Sequence, residues 1–365
     1  MLRPWWQRCI LWLLIGLLVI WPSPRPAAAA TSALLVSKNP VTDAKAILRN
    51  ALPIDNAPIR DIQARLEDIR YQLRLKRWSA VQGDVKQARR ILEKQTPTIL
   101  ASIDPDQQAA ATQALASLQD ELDAISAAAE IKDRYPAFVH QDAALDQVGK
   151  VEALMVHGFP FPVPSDYSHL PQLRGRATVE LVTDKGTLTV VVDGYSAPVT
   201  AGNFLDLVQR GFYDGLTFDR AEESYVLQAG DPPGPADSYL DPATGEIRTV
   251  PLEILVRGDE IPLYGTTLEA AGRYLDQPVL PFAAYGTLAM ARREDDPNSA
   301  SSQFFFLLFE PELTPAGINL LDGRYAVFGY LVEGREVMEK LREGDTIRSA
   351  HVISGAENLI VPKGS

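Results

Sequence analysis

The sequence predicts a multidomain chain: an all-α helical bundle followed by a mainly-β, closed antiparallel barrel covered by two helices. Three observations predict it. Apolar residues recur at three- and four-residue steps from about Pro40 to His157, and the period falls to two after Arg176. Between them lies Gly158-Phe159-Pro160-Phe161-Pro162-Val163-Pro164, whose alternating prolines hold it extended and outside either neighbour's hydrogen-bond ladder. A chain of 365 residues is long enough for each part to bury its own core.

The first thirty residues are set apart. Arg3 and Arg8 form a basic start, Ile10 to Ile20 is an uncharged apolar run, and Pro22, Pro24 and Pro26 precede Ala27-Ala28-Ala29-Ala30. This is the layout of a secretory signal peptide over 1–30, cleaved near Ala29 or Ala30. The apolar run is too short to span a bilayer comfortably, so the mature protein is expected not to cross a membrane.

The helical bundle is expected over 38–157. Ile59, Ile62, Leu66, Ile69 and Leu73 form one stripe, and Val81, Val85, Ala88, Ile91 and Leu92 a second, with Pro97 breaking or kinking that helix. Asp104-Pro105 has the form of an N-cap followed by proline in the first turn. Leu115, Leu118, Leu122 and Ile125 mark a third helix, and Leu145, Val148, Val151 and Met155 a fourth starting near Pro136. Short breaks between the stripes imply antiparallel neighbours in a bundle of about four helices. The basic cluster Arg70, Arg74, Lys76 and Arg77 reads as the solvated face of an amphipathic helix, with a docking patch as the alternative. His140 and His157 are isolated, so no metal site is expected in this half.

A linker is expected over 158–172 and the barrel over 173–358. Ala177 to Val182 and Gly186 to Asp193 pair as a hairpin, followed by a helix from Pro198 to Gln209. Strand-like runs recur at Thr217–Arg220, Tyr225–Gln228, Gly286–Arg292, Gln303–Phe309 and Tyr325–Val332. Glu333 to Arg342 reads as a second helix, and Ile347 to Ser354 as a closing strand.

Composition excludes several chemistries. The only cysteine, Cys9, lies in the export segment, so the mature chain has no disulfide, thiol nucleophile or thiolate metal site. Cleavage also removes three arginines and takes the net charge from −12 to −15. Such a balance argues against nucleic acid as a partner, because phosphate backbones need clustered Lys and Arg.

Seven segments of the second half then stand in order. They are Ala197-Pro198-Val199-Thr200 with Asn203-Phe204, Gly211-Phe212-Tyr213-Asp214-Gly215, Phe218-Asp219-Arg220, Gln228-Ala229-Gly230-Asp231, Gly286-Thr287-Leu288-Ala289-Met290-Ala291, Ser302-Gln303-Phe304-Phe305, and Leu321-Asp322-Gly323-Arg324-Tyr325-Ala326-Val327-Phe328-Gly329. Together they resemble the cyclophilins, peptidyl-prolyl isomerases built as an eight-stranded barrel. The whole chain resembles the thylakoid-lumen branch of that family, which joins an export signal, a PsbQ-like bundle and a cyclophilin-like domain and is associated with photosystem II assembly. The long segment between Asp231 and Gly286 fits that branch.

The resemblance implies isomerisation of X-Pro bonds in proline-containing proteins, with no cofactor and no metal. An X-Pro peptide is planar by resonance, with a barrier of about 18–20 kcal/mol to rotation. A fixed cation that favours the twisted amide lowers that barrier electrostatically, and arginine stays charged with a rigid donor fork. Arg220 occupies the family's catalytic position. Tyr225, Val226, Gln228, Met290, Ala291, Gln303, Phe305, Leu320 and Tyr325 occupy its substrate-binding positions, with Phe305 and Met290 as the apolar floor. Alternation along the strand puts Phe304 and Phe306 in the barrel core and Asp219 away from Arg220.

The chain also departs from the family. Tyr225 stands for a phenylalanine, Leu320 for a tryptophan, Tyr325 for a histidine, Arg292 for an asparagine and Asp219 for a histidine. Arg292 adds a second cation at the rim. The expected function is a weak or narrow isomerase of the thylakoid lumen or periplasm, acting in photosystem II assembly or maintenance, with photosystem II subunits as candidate partners. The alternative is a non-catalytic or autoinhibited scaffold that binds proline segments.

Overall fold

The structure is a computed structural model that describes residues 41–242, 244–309 and 319–362; the export segment 1–30 lies outside these residues. Among the described residues no helix is long and apolar enough to cross a membrane.

Five helices come first: α1 (Ala44–Ala51), α2 (Ala57–Arg74), α3 (Trp78–Ala101), α4 (Gln108–Glu130) and α5 (Arg134–Leu154). Asn56 starts α2 by accepting the Ile59 amide at 3.1 Å, with proline in the first turn. The four long helices pack α2 on α3, α3 on α4, α4 on α5 and α5 back on α2, an up-and-down ring. Ile59, Ile62, Leu66, Ile69 and Leu73 are all fully buried, and each contributes about 1.5–3 kcal/mol by leaving water. The α2–α3 and α4–α5 turns share one pattern: Lys76 and Lys132, just past the ends of α2 and α4, adopt left-handed backbone (φ 55° and 58°). In an up-and-down ring these two turns share one end of the bundle.

Two helix expectations are corrected. α3 runs through Pro97 to Ala101, so the proline does not break it, because near the last turn it removes only one ladder bond; the Thr96 hydroxyl donates to the Leu92 carbonyl at 2.6 Å nearby. Asp104 is not an N-cap. A turn closed by the Gln107 amide on the Asp104 carbonyl precedes α4, and the Asp104 carboxylate faces His157 at 3.3 Å.

Helix α1 ties the bundle to the strands. Its Ile47 and Leu48 pack in one apolar cluster with Tyr330, Val327 and Phe305. Arg176 donates to the Leu48 carbonyl, while Arg60 donates to the carbonyls of Arg49 and Leu52, both at 2.9 Å. Arg60 also meets the fully buried Glu152 at 3.1 Å, whose carboxyl burial pushes up to about 7.

The strands are β1 (Gln172–Leu173), β2 (Arg176–Thr183), β3 (Gly186–Asp193), β4 (Phe218–Glu222), β5 (Val226–Ala229), β6 (Glu253–Ile254), β7 (Leu263–Tyr264), β8 (Thr287–Met290), β9 (Phe304–Leu307), β10 (Val327–Glu333), β11 (Ile347–Ser354) and β12 (Leu359–Ile360). Eight of them form one antiparallel sheet in the order β11-β2-β3-β10-β8-β9-β5-β4. The sheet curls until its edges meet through the Thr217–Thr346 bridge and a few flanking backbone hydrogen bonds with no continuous strand ladder, so "closed" overstates the barrel. Its interior is filled by Phe204, Tyr213, Phe218, Phe304, Phe306 and Phe328, with ring centroids 5.2–5.8 Å apart among four of them.

Helix α6 (Pro198–Gln209) covers the interior, and every residue from Pro198 to Val208 is buried. Its first amides are capped by Glu253, which accepts from Val199 and Thr200 and from the Thr200 hydroxyl at 2.9–3.3 Å. The second covering helix is shorter than expected: α7 is only Arg335–Met338, because the chain turns to place the Gly344 amide on the Phe218 carbonyl at 2.8 Å.

Candidate functional site

Residues directly opposite one another on neighbouring strands point to the same face. The registers Arg220↔Gln228, Gln228↔Phe305, Phe305↔Ala289 and Ala289↔Val327 therefore draw one row across β4, β5, β9, β8 and β10. This row lies on the outer face. The neighbouring row, through Leu227, Phe306 and Leu288, faces the core.

The outer row opens into a groove of about 570 Å³. Of the ten expected site residues it is lined by Arg220, Tyr225, Val226, Gln228, Ala291, Gln303, Phe305 and Tyr325. Its floor is the Phe305 ring, stacked on Phe282 at 6.0 Å and met edge-on by Tyr325 at 5.5 Å. Beside it Gln228 donates to Gln303 at 2.7 Å, and Gln303 donates to the Asp237 carbonyl at 2.5 Å. The preceding Ser302 is fixed from three sides: its hydroxyl donates to Gly230, it accepts the Tyr239 amide, and Tyr213 donates to its carbonyl. Those bonds hold the amide pair in place.

Two expected residues stand elsewhere. Met290 lies opposite Phe304, so its side chain joins the barrel core, and the floor is completed by Val226 and Leu321. Leu320 is 85 % exposed and does not line the groove; Leu321 takes the lining position. The turn there is set by Asp322, which accepts the Phe282 and Asn319 amides, and burial raises its carboxyl to about 6.

The cations are both engaged. Arg220 is half exposed and donates its Nε to Glu222 at 2.8 Å, with a second contact from its terminal nitrogen to the same oxygen. Glu222 is two residues on along β4 and so shares the face of Arg220; Asp219, at a register shift, is partly buried with its carboxyl raised by desolvation. Arg292 lies 5.1 Å over the Tyr325 ring and donates to the carbonyls of Arg324, Arg293 and Glu294. It braces the rim.

Sequence reasoning missed Glu222, although its two-residue spacing from Arg220 was a usable signal. It also missed Asp237, Ile247 and Thr249, which the long segment after Asp231 brings to the groove. Among the described residues no group of three or more His, Cys, Asp or Glu side chains is placed to hold a metal ion. A cation beside two amides and an apolar floor can bind an extended peptide and polarise one of its amides. Among the described residues the groove presents no nucleophile–base pair.

Comparison with known proteins gives the family. Residues 178–357 match the family described as cyclophilin type peptidyl-prolyl cis-trans isomerase/CLD. Residues 43–156 match the PsbQ-like domain of CYP38-like peptidyl-prolyl cis-trans isomerases. The chain is 55 % identical, over 89 % of its length and 86 % of the relative's, to a putative thylakoid lumen peptidyl-prolyl cis-trans isomerase of Synechocystis sp.. It is 43 % identical, over 95 % of its length and 84 % of the relative's, to the chloroplastic peptidyl-prolyl cis-trans isomerase CYP38 of Arabidopsis thaliana. A crystal structure of a Cryptosporidium parvum cyclophilin, with the dipeptide Ala-Pro present, aligns over 48 % of this chain and 99 % of that one at 23 % identity and a TM-score of 0.36. With both halves matched in order by full-length relatives, the chain belongs to the cyclophilin-type peptidyl-prolyl cis-trans isomerases, in the form that carries an N-terminal PsbQ-like domain.

Proposed function

We propose that the outer groove is the isomerase active site, with Arg220 as the cation that stabilises the twisted amide. The single observation that supports this is the row Arg220–Gln228–Phe305, which sets cation, amide and proline-sized floor side by side. A prolyl ring would rest on Phe305 between Val226, Leu321 and Tyr325, and the Gln228–Gln303 pair would hold the peptide backbone. As the X-Pro amide rotates, its nitrogen becomes pyramidal and its lone pair localises. A guanidinium donor toward that nitrogen is worth more in the twisted state than in the planar one. Glu222 competes for the same donor, so the turnover is modest.

A protease-coupled peptide assay tests the assignment. Arg220→Ala is expected to lower turnover by about 10²–10³-fold, the usual effect of removing one preorganised donor. Undiminished turnover in that variant would remove Arg220 from the mechanism.

The clients we propose are proline-containing proteins of the thylakoid lumen or periplasm, photosystem II subunits among them. The lumen designation of the Synechocystis relative and the PsbQ-like match support that setting. A second reading, a proline-binding scaffold with little turnover, is favoured by the Glu222 pair and by Leu320 standing out in solvent. Turnover absent from the wild-type chain, with proline peptides still bound, would select it. The groove is lined entirely by residues between Arg220 and Tyr325, so no described bundle residue covers it.

A further inference from the structure

One end of the helical bundle has a composition unlike the rest of the chain. The turns 74–78 and 130–135 contain Arg74, Lys76, Arg77, Lys132 and Arg134 against Glu130 and Asp133, in a protein of net charge −12. The opposite end reverses this: 53–57 and 102–107 contain Asp55, Asp104 and Asp106 and no lysine or arginine. Gln82 donating to the Ser126 carbonyl at 2.9 Å, and bonded in return by the Ser126 hydroxyl, binds the start of α3 to the end of α4 and so holds the two basic turns at one end.

The same end also carries exposed apolar side chains. Ile131 is 75 % exposed and Tyr135 79 %, with Leu75 on the other turn and Tyr71 in the last turn of α2 also exposed. Each turn repeats one motif: an aliphatic residue, then a lysine in left-handed backbone, then an arginine within two residues. The left-handed lysine turns the chain sharply out of each helix, and the side chains on each tip stand out into solvent. None of the five cations has a carboxylate within ion-pair distance among the described residues; the nearby Arg70 is paired with Asp142, and Asp133 is occupied in capping the Tyr135 amide.

We propose that this end of the bundle docks on an anionic membrane surface, inserting Leu75 and Ile131 at the headgroup level inside a collar of lysine and arginine. Protein hot spots seat large side chains in a concave, desolvated pocket, whereas two exposed tips with aliphatic points and tyrosine shoulders match a lipid interface. Binding there needs two signals, apolar insertion and basic attraction, and both are present. The acidic opposite end and the acidic remainder of the chain would be repelled, which fixes the bundle end-on.

The chain supplies its own probe. Trp78, half-buried at this end, is the only tryptophan after residue 30. The test uses the chain from residue 31, which contains the compact unit Val41–Ser365 and lacks the other tryptophans and the apolar export run. It is mixed with phosphatidylcholine vesicles with or without about one third phosphatidylglycerol, and read by sedimentation and Trp78 emission. Expected are sedimentation and an emission shift only with the anionic vesicles, weakened by salt. Lys76→Glu with Lys132→Glu should lower partitioning at least about tenfold, and Leu75→Ser with Ile131→Ser should lower it with the charge intact. Circular dichroism confirms that each variant is folded. No sedimentation with anionic vesicles, or equal sedimentation by both double variants, overturns the proposal. So does capture of an acidic protein partner by this end without any vesicle binding.

Discussion

The two faces of the eight-stranded sheet are built from the same kinds of residue and do opposite things. On β9, Phe304 and Phe306 face inward, where the Phe304 ring meets those of Phe204, Tyr213 and Phe306, while Phe305 between them faces outward as the groove floor. The inner face is covered by a fully buried helix, whereas the outer face is covered in part by α1 and is open at the groove beside charges and amides. Identity of side chain therefore says little about role on this strand. Position in a two-residue period says nearly everything.

The sharpest way to break that division is a pair of truncations. Phe304→Ala should cost about 3–5 kcal/mol in chemical denaturation yet leave kcat/KM of the folded fraction close to wild type. Phe305→Ala should lower kcat/KM at least tenfold, about 1.4 kcal/mol of binding to the twisted state. Equal losses of turnover in both variants would show that the two faces do not divide the work.

Acid sharpens the same contrast through buried carboxyls that never reach the groove. Burial raises Glu253, under α6, and Glu152, in the bundle, from 4.5 to about 7, and Asp322 from 3.8 to about 6. The folded state thus holds protons that the unfolded chain has released. Their contribution is complete below about pH 4 and is lost as pH rises through 6 to 7, so the Tm should climb between pH 8 and pH 5.5. One carboxyl at about 7 in place of 4.5 accounts for about 3 kcal/mol. In Glu253→Gln this rise should shrink, and a Tm that falls on acidification would contradict the assignment.

The smallest effect concerns the open face alone. Exposed ion pairs are worth about 0.2–1 kcal/mol, so Glu222→Gln should raise turnover by about two- to fivefold by freeing Arg220. Unchanged or lower turnover would mean that Glu222 positions Arg220 and does not compete for it.

Legibility in the sequence followed the strength of local periodicity. The inward Phe304 and Phe306, the helical stripe from Ile59 to Leu73 and the hairpin of β2 and β3 were readable because period alone decides them. Met290 was misplaced because its facing depends on pairing with Phe304, a cross-strand fact. Leu320 was misplaced because a turn held by Asp322 chooses which of two adjacent leucines reaches the groove. Asp104 had the residue chemistry of a cap, but the Gln107 amide closes a turn onto its carbonyl first. The Arg220–Glu222 pair follows from two-residue spacing on one strand face, but which of the flanking acids, Asp219 or Glu222, engages the guanidinium depends on β4 forming there.

The seam of the barrel has a consequence for how the molecule wears out. Strand β4 carries Arg220, and its outer edge is held to the chain around β11 by the Thr217–Thr346 bridge and by the Phe218, Gly344, Ile347 and Gly215 amides, at 2.7–2.9 Å. Every other strand between β2 and β5 is laced on both sides. Heat or protease should unzip the sheet from this border inward, so Arg220 rides on the strand that loosens first. Function would fade while most of the sheet still protects its amides from exchange.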